Sequence, residues 1–278
     1  MGTIETGTDH LHATVDDGVA VLTMNRPERR NALSREMGEA MGSVLARVEK
    51  DREIRCVVLT GAGGAFCAGG DVKGFAARAD RPSNGSSDGP TLDERIHAQR
   101  LDQRATSGAL WRMPKPTIAA IGGPAAGAGL SLALACDLRV MTESAILTTA
   151  FARVGFSGDY GGSWFLTQLV GPSKAKELYY LSSRIDAREA LDLGLTNRVF
   201  PADEFEDGWR SLARQLASGP SIAYRSMKEN INRAAVGIDA MEAMDLEVTH
   251  HVHCGQTDDH KNASKAFVEK REPVFSGR

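Results

Sequence analysis

Gly64-Ala65-Phe66-Cys67-Ala68-Gly69-Gly70-Asp71 and Gly122-Gly123-Pro124-Ala125-Ala126-Gly127-Ala128-Gly129-Leu130 are the two stretches that decide the fold. Each follows a short apolar run rich in strand formers, Cys56 to Thr60 before the first and Thr117 to Ile121 before the second. Each leads into a segment with helical patterning. A strand, a tight small-residue turn and a helix, repeated, describe an α/β core of βαβ-like units. Small residues at the turns let another backbone or a ligand approach closely. Two such turns can each direct a backbone N–H into one cleft, and a convergent pair of N–H groups stabilises a carbonyl oxygen that gains negative charge.

Outward from these turns the elements are legible. Leu11 to Val15 and Val19 to Met24 read as strands around the turn Asp16-Asp17-Gly18. Ser34 is placed to cap a helix running to about Lys50, and Leu92 to Met113 reads as one long helix ending before Pro114. The Gly-, Pro-, Ser- and Asp-rich stretch 78–90 reads as a loop, either a lid or a disordered segment. Strand Leu138 to Met141 follows the second turn. Gly171-Pro172 divides two short helices, Gly162 to Leu169 and Ser173 to Leu181, and strand Asn197 to Phe200 closes the core. From Asp203 the pattern is helical, with breaks at Gly219-Pro220 and near Gly237. The expected division is a core with the site over 1–202 and a helical region over 203–278.

Composition narrows the partners. The chain has 278 residues, 42% of them hydrophobic, so a full core needs no disulfides. Lys and Arg number 33 against 36 Asp and Glu, a net charge of −3 with no basic stripe, which argues against nucleic acid. No apolar run approaches a membrane span. The four cysteines, Cys56, Cys67, Cys136 and Cys254, lack C-x-x-C spacing and read as reduced thiols of a cytoplasmic protein. His250 and His253 have helical i, i+3 spacing, but no carboxylate–histidine signature accompanies them, and no metal site is expected.

The paired turns, with Asn25-Arg26-Pro27-Glu28-Arg29-Arg30-Asn31-Ala32-Leu33, Ala135-Cys136-Asp137-Leu138-Arg139, Gly155-Phe156-Ser157-Gly158-Asp159-Tyr160-Gly161-Gly162 and the tail Ala266-Phe267-Val268-Glu269-Lys270-Arg271, closely resemble the crotonase (enoyl-CoA hydratase/isomerase) superfamily. The resemblance runs from about Ala13 to Arg278. It implies a spiral of ββα units with a C-terminal helical trimerisation region, an acyl-CoA thioester as substrate, and no cofactor beyond the coenzyme A of that substrate. It implies a homotrimer or a dimer of trimers. It makes the Ala68 and Ala128 amides the donors to the thioester oxygen, and sets Arg29, Arg30, Ala32, Asp71, Lys73, Phe151, Phe267 and Lys270 along the acyl-CoA, the last two often from a neighbouring subunit.

The chain departs from the hydratase pattern. Where hydratases of the superfamily carry two glutamates, it has Ser131 and Phe151. Water addition needs one group to activate water and another to deliver a proton, and neither residue is a base. Glu143 falls on a surface turn. Asp159 is the carboxylate left in a matching position, similar to the single aspartate of isomerase-type members and to the nucleophilic aspartate of dehalogenase-like ones. As a residue before a helix it also reads as an N-cap. A lone carboxylate can take a proton at one carbon and return it at another, which suits a double-bond isomerase. Hydration by an unusual set of groups, or acyl-CoA binding without turnover, are the rival readings.

Overall fold

The computed structural model describes residues 2–71 and 89–278. Asp17 and Gly18 both take left-handed backbone, φ 47° and 75°. That is the turn that joins two antiparallel strands without splaying them. It pairs β2 (Leu11–Asp16) with β3 (Val19–Met24), and β1 (Gly2–Ile4), which the sequence reading lacked, adds to the outer edge of β2. From β3 onward the sheet is parallel: β4 (Cys56–Gly61), β5 (Thr117–Ile121), β7 (Leu138–Thr142) and β10 (Arg198–Phe200) follow in that order. A second, three-stranded sheet holds β6 (Ala125–Ala126), β8 (Ile146–Thr148) and β9 (Ile185–Asp186). The strand β5 in the large sheet is followed by β6 in the small one, and β7 by β8. Cys67, after β4, bridges Ala125 in the same way. The mixed α/β fold is thus built from repeated long-strand, short-strand and helix units.

Ser34 caps α1 (Arg35–Lys50), its side chain accepting from the Met37 N–H at 3.1 Å, as its sequence context predicts. The helix buries Met37, Met41, Val44, Leu45 and Val48 against the sheet. The single helix expected over 92–113 is two. α2 (Leu92–Ala105) stops at Thr106, whose backbone turns to φ −112°, ψ −90°, and α3 (Ser107–Arg112) restarts in a buried position. α2 buries none of its residues. α1 has no side chain at Gly38 and Gly42, where a Cβ would meet Asp102 Oδ1 at 2.8 Å and the Ala105 Cβ at 3.0 Å. The two helices therefore touch along a glycine seam.

The second turn opens into α4 (Ala128–Ala135), wholly buried and, except for Ser131, apolar, which packs on α5 (Gly162–Leu181). Gly171 (φ 74°, ψ 166°) breaks the helical path of α5 at the predicted place, before Pro172. Asp186 accepts from the Glu189 N–H at 2.8 Å and starts α6 (Ala187–Asp192).

Helix α7 (Phe205–Ala217) corrects the expected division after residue 202. Phe205, Trp209, Leu212, Ala213 and Ala217 pack with Val21, Val58, Ile118 and Val140 on the outer face of the sheet, so α7 belongs to the core. The helices that reach beyond the core are α8 (Ser221–Ala235), α9 (Ala240–Gly255) and α10 (Asp258–Glu269). Among the described residues no helix is long and apolar enough to cross a membrane.

Candidate active site

The two glycine-rich turns lie backbone against backbone. The N–H groups of Phe66 and Cys67 donate to the Pro124 carbonyl at 3.1 and 3.2 Å, and the Ala126 N–H donates to the Cys67 carbonyl at 2.9 Å. A Cβ on Gly123 would sit 2.0 Å from the Gly64 oxygen, and one on Gly129 2.3 Å from the Cys67 oxygen. Neither distance is possible for a real side chain, so glycine at these positions is what allows the turns to meet. A third chain segment locks the first of them. Asn31 is fully buried. It accepts from the Arg26 N–H at 2.8 Å and donates to the Ala62 and Ala65 carbonyls, each at 2.8 Å. Nothing local to Asn31 in the sequence signals this role.

Ala128 is the first residue of α4. A first-turn amide has no acceptor inside its helix, so its N–H is free to receive an anion. The left-handed backbone of this turn falls on Gly127 (φ 52°), which lets Ala128 carry its Cβ without strain. The other expected donor is corrected. The Ala68 N–H donates to the Arg30 carbonyl at 2.9 Å and is engaged within the fold. Two residues on, Gly70 forms a parallel bridge with Leu33 in which the Leu33 N–H goes to the Gly69 carbonyl at 2.8 Å. Bridge bonds of this kind flank the central residue, and the Gly70 N–H has no acceptor among the described residues. A Cβ on neighbouring Gly69 would lie 3.3 Å from the Ala128 nitrogen. The amides free for a carbonyl oxygen are therefore those of Gly70 and Ala128.

Asp159 sits in a loop of unusual backbone: Gly158, Tyr160 and Gly161 have φ of 119°, 50° and 74°. The N-cap reading fails. Gly161 is the N-cap residue of α5 and no side chain caps it, while Asp159 contributes only its main-chain carbonyl, to the Gly162 N–H at 3.0 Å. Asp159 Oδ1 is buried and has no hydrogen-bond partner. Burial, with a smaller contribution from the negative charge of Asp102, raises its pKa from 3.8 to about 6. A carboxyl poised near neutrality exchanges protons readily at physiological pH.

Ser131 and Phe151 lie close by. Ser131 is buried, its hydroxyl donating weakly to the Gly127 carbonyl at 3.3 Å. Phe151 lies beside Gly127 and stacks on Tyr179 of α5, centroids 5.8 Å apart and rings 10° from parallel. The place a Cβ on Gly162 would occupy is 2.1 Å from Ser131 Oγ and 2.9 Å from Tyr179 Oη. Both hydroxyls thus reach over Gly162, in a space that only glycine leaves open. Burial, and then the charge of Asp159, push the Tyr179 phenol up, so it is a neutral donor. Tyr179 was missed by sequence reasoning, because nothing local to it signals the site. Trp164 packs edge-on against Trp111, centroids 5.4 Å apart, and is partly exposed. Burial pushes the Cys67 thiol up to about 12, which leaves it protonated and unreactive. Glu143 is exposed on its turn.

The residues expected along an acyl-CoA divide into three groups. Arg29 and Arg30 are exposed beside the first turn, and Ala32 is buried between them and α1. Asp71 is tied to Arg26 at 3.5 Å, while Arg26 also donates to the Ala32 carbonyl at 2.7 Å. Lys73, and the loop expected over 78–90 up to residue 88, lie outside the described residues. Phe267 is 85% exposed near the end of α10, with Lys270 just beyond it, and Phe267 stands off the surface of its own chain. Among the histidines, His250 bonds Asn230 at 2.6 Å and faces Glu229 at 3.6 Å between α8 and α9. No group of three His, Cys, Asp or Glu able to hold a metal occurs among the described residues.

Comparison with known proteins gives the chain's family and fold. The family model described as Enoyl-CoA hydratase/isomerase matches residues 14–278. A probable enoyl-CoA hydratase of Rhodobacter capsulatus is 35% identical, over 95% of this chain and 96% of its own length. The 1,2-epoxyphenylacetyl-CoA isomerase of Escherichia coli is 36% identical, over 95% of this chain and 97% of its own. Among solved structures, a putative enoyl-CoA hydratase from Streptomyces coelicolor superposes with a TM-score of 0.88 at 33% identity, covering 97% of this chain and 94% of that one.

Proposed function

Because the chain belongs to the enoyl-CoA hydratase/isomerase family, the crotonase superfamily, we propose that it is an acyl-CoA double-bond isomerase with Asp159 as its proton shuttle. The observation that carries this reading is the buried, unpartnered Oδ1 of Asp159, in a site whose other two family carboxylate positions are Ser131 and Phe151. Ionised Asp159 takes a proton from the carbon between the thioester carbonyl and the double bond of a 3-enoyl-CoA. The resulting dienolate carries its charge on the thioester oxygen, and the Gly70 and Ala128 amides donate to it. A donor of this kind contributes about 3 kcal/mol to the transition state. The carboxylic acid then returns the proton to the far carbon. The product is the 2-enoyl-CoA, and Asp159 is regenerated as carboxylate. Phe151 and the ring of Tyr179 keep water from the reacting carbons. Exposed Arg29 and Arg30 suit the CoA phosphates, and the outstanding Phe267 suits a contact across a homotrimer.

A second reading is favoured by the Phe151–Tyr179 stack: an aryl rather than a linear acyl group, isomerised by the same aspartate. A panel of 3-enoyl, 2-enoyl, dienoyl and aryl thioesters, followed by mass and absorbance, tests both. Isomerised product from the 3-enoyl or aryl members supports them. Hydration of 2-enoyl-CoA as the dominant activity would sink them, and a chain that binds every member and turns over none would be a silent acyl-CoA binder.

A further inference from the structure

Helix α2 has no buried residue, yet its Asp102 reaches the candidate site. The Tyr160 hydroxyl donates to Asp102 Oδ2. Gln99, three residues before Asp102 and so on the same face of α2, also reaches that hydroxyl. The approach depends on Gly38, where a Cβ would come within 2.8 Å of Asp102 Oδ1. Tyr160 is the neighbour of Asp159, is buried, and holds left-handed backbone, φ 50°. A tyrosine in that conformation is strained and persists only where its surroundings fix it. The bond from α2 fixes it.

We infer that Asp102 is a positioning residue for Asp159: through the Tyr160 hydroxyl it anchors the Gly158–Gly161 loop, and it sets a second negative charge near the shuttle. The inference rests on the reading of Asp159 as the proton shuttle. It gives the site two carboxylates after all, only one of which meets the substrate. The titratable groups that face Asp159 among the described residues are Cys67 from the first turn, Tyr160 beside it, Tyr179 from α5, and Asp102. The first three are neutral over the working range, because burial raises each of them. Asp102 is the charge that acts on Asp159. A negative neighbour opposes ionisation, so its removal makes Asp159 ionise at lower pH.

The test is a carbon-13 NMR titration of the Asp159 carboxyl in the full-length, substrate-free protein, with pH profiles of kcat and KM beside it. Asp102→Asn keeps an acceptor for Tyr160 and removes the charge. It is expected to lower the Asp159 midpoint by roughly half a pH unit or more and to carry the acid limb of kcat/KM with it. Asp102→Ser is the second variant should the first fail to fold. Tyr160→Phe keeps the charge and releases the loop. It is expected to lower the plateau kcat about tenfold, with KM little changed and no fall in the midpoint. A merely structural Asp102 would lower the melting temperature and leave the midpoint in place. An unmoved midpoint without the charge, or an unchanged plateau in Tyr160→Phe, overturns the inference. Wild-type turnover in Asp159→Asn would instead overturn the shuttle, a separate outcome because the titration needs no turnover.

Discussion

Replacing Asp159 by Asn should slow the enzyme and stabilise it. In the folded chain the Asp159 carboxyl holds its proton up to about pH 6, against 3.8 for a free aspartate side chain. A carboxyl whose pKa is raised on folding resists ionisation, so its ionised form costs stability. The cost is absent below about pH 4, grows between about 4 and 6, and is complete above that range. Roughly two units correspond to about 3 kcal/mol, and partial exposure of the side chain reduces this to about 1–2 kcal/mol through solvent screening. Asn has the same shape and no charge to bury. With an unfolding entropy near 2.1 cal/mol/K per residue over 278 residues, the variant should melt about 2–3 °C above wild type at neutral pH and level with it at about pH 4. Protein concentration must be held fixed, because an oligomer's melting point depends on it. Turnover of the isomerised substrate should fall at least about a hundredfold, the low end for general acid–base catalysis. Calorimetry at the two pH values and a spectrophotometric rate at neutral pH decide the matter. A variant as active as wild type, or a stability difference that does not change with pH, would refute the reasoning.

Gly70→Pro removes the free amide and should reduce turnover by about two to three orders of magnitude in a folded protein; circular dichroism and steady-state rates check it. Ala68→Pro instead breaks the bond to the Arg30 carbonyl, and chemical denaturation should show a loss of about 1–3 kcal/mol. Arg29→Glu with Arg30→Glu should raise KM for CoA thioesters while kcat stays close to wild type, as expected when binding is lost equally from ground and transition states. Met227, Ile231, Met241, Met244 and Val248 are each more than half exposed on α8 and α9, more apolar surface than a free helix layer should show. Light scattering at micromolar concentration should therefore give a trimer or a dimer of trimers, and a stable, active monomer would contradict it.

Local chemistry makes much of this legible in the sequence. The Asp17-Gly18 turn, the Ser34 cap and the Gly171-Pro172 break are decided within a few residues of chain, and each is found where it was expected. The break of the 92–113 helix at Thr106 is not local, since α3 turns inward to bury Leu110. The strands β6, β8 and β9 are too short to give a periodic pattern, and they exist because the units stack. In the site, the meeting of the two turns was readable from their glycines. Which amide remains free was not, because Arg30 and Leu33 make that choice from a separate segment. Asp159 stood out by elimination. Its partner Asp102 is 57 positions away on an exposed helix, and only the folded chain brings the two together.

The most direct test of the central claim is proton exchange next to the thioester carbonyl. A 3-enoyl-CoA is held with wild-type protein in deuterated water, and loss of the proton between carbonyl and double bond is followed by NMR, in parallel with Asp159→Asn. The account predicts exchange and conversion to the 2-enoyl isomer by the wild type, little 3-hydroxyacyl product, and loss of both exchange and conversion in the variant. Exchange at the wild-type rate in Asp159→Asn, or rapid hydration by both proteins, would contradict it.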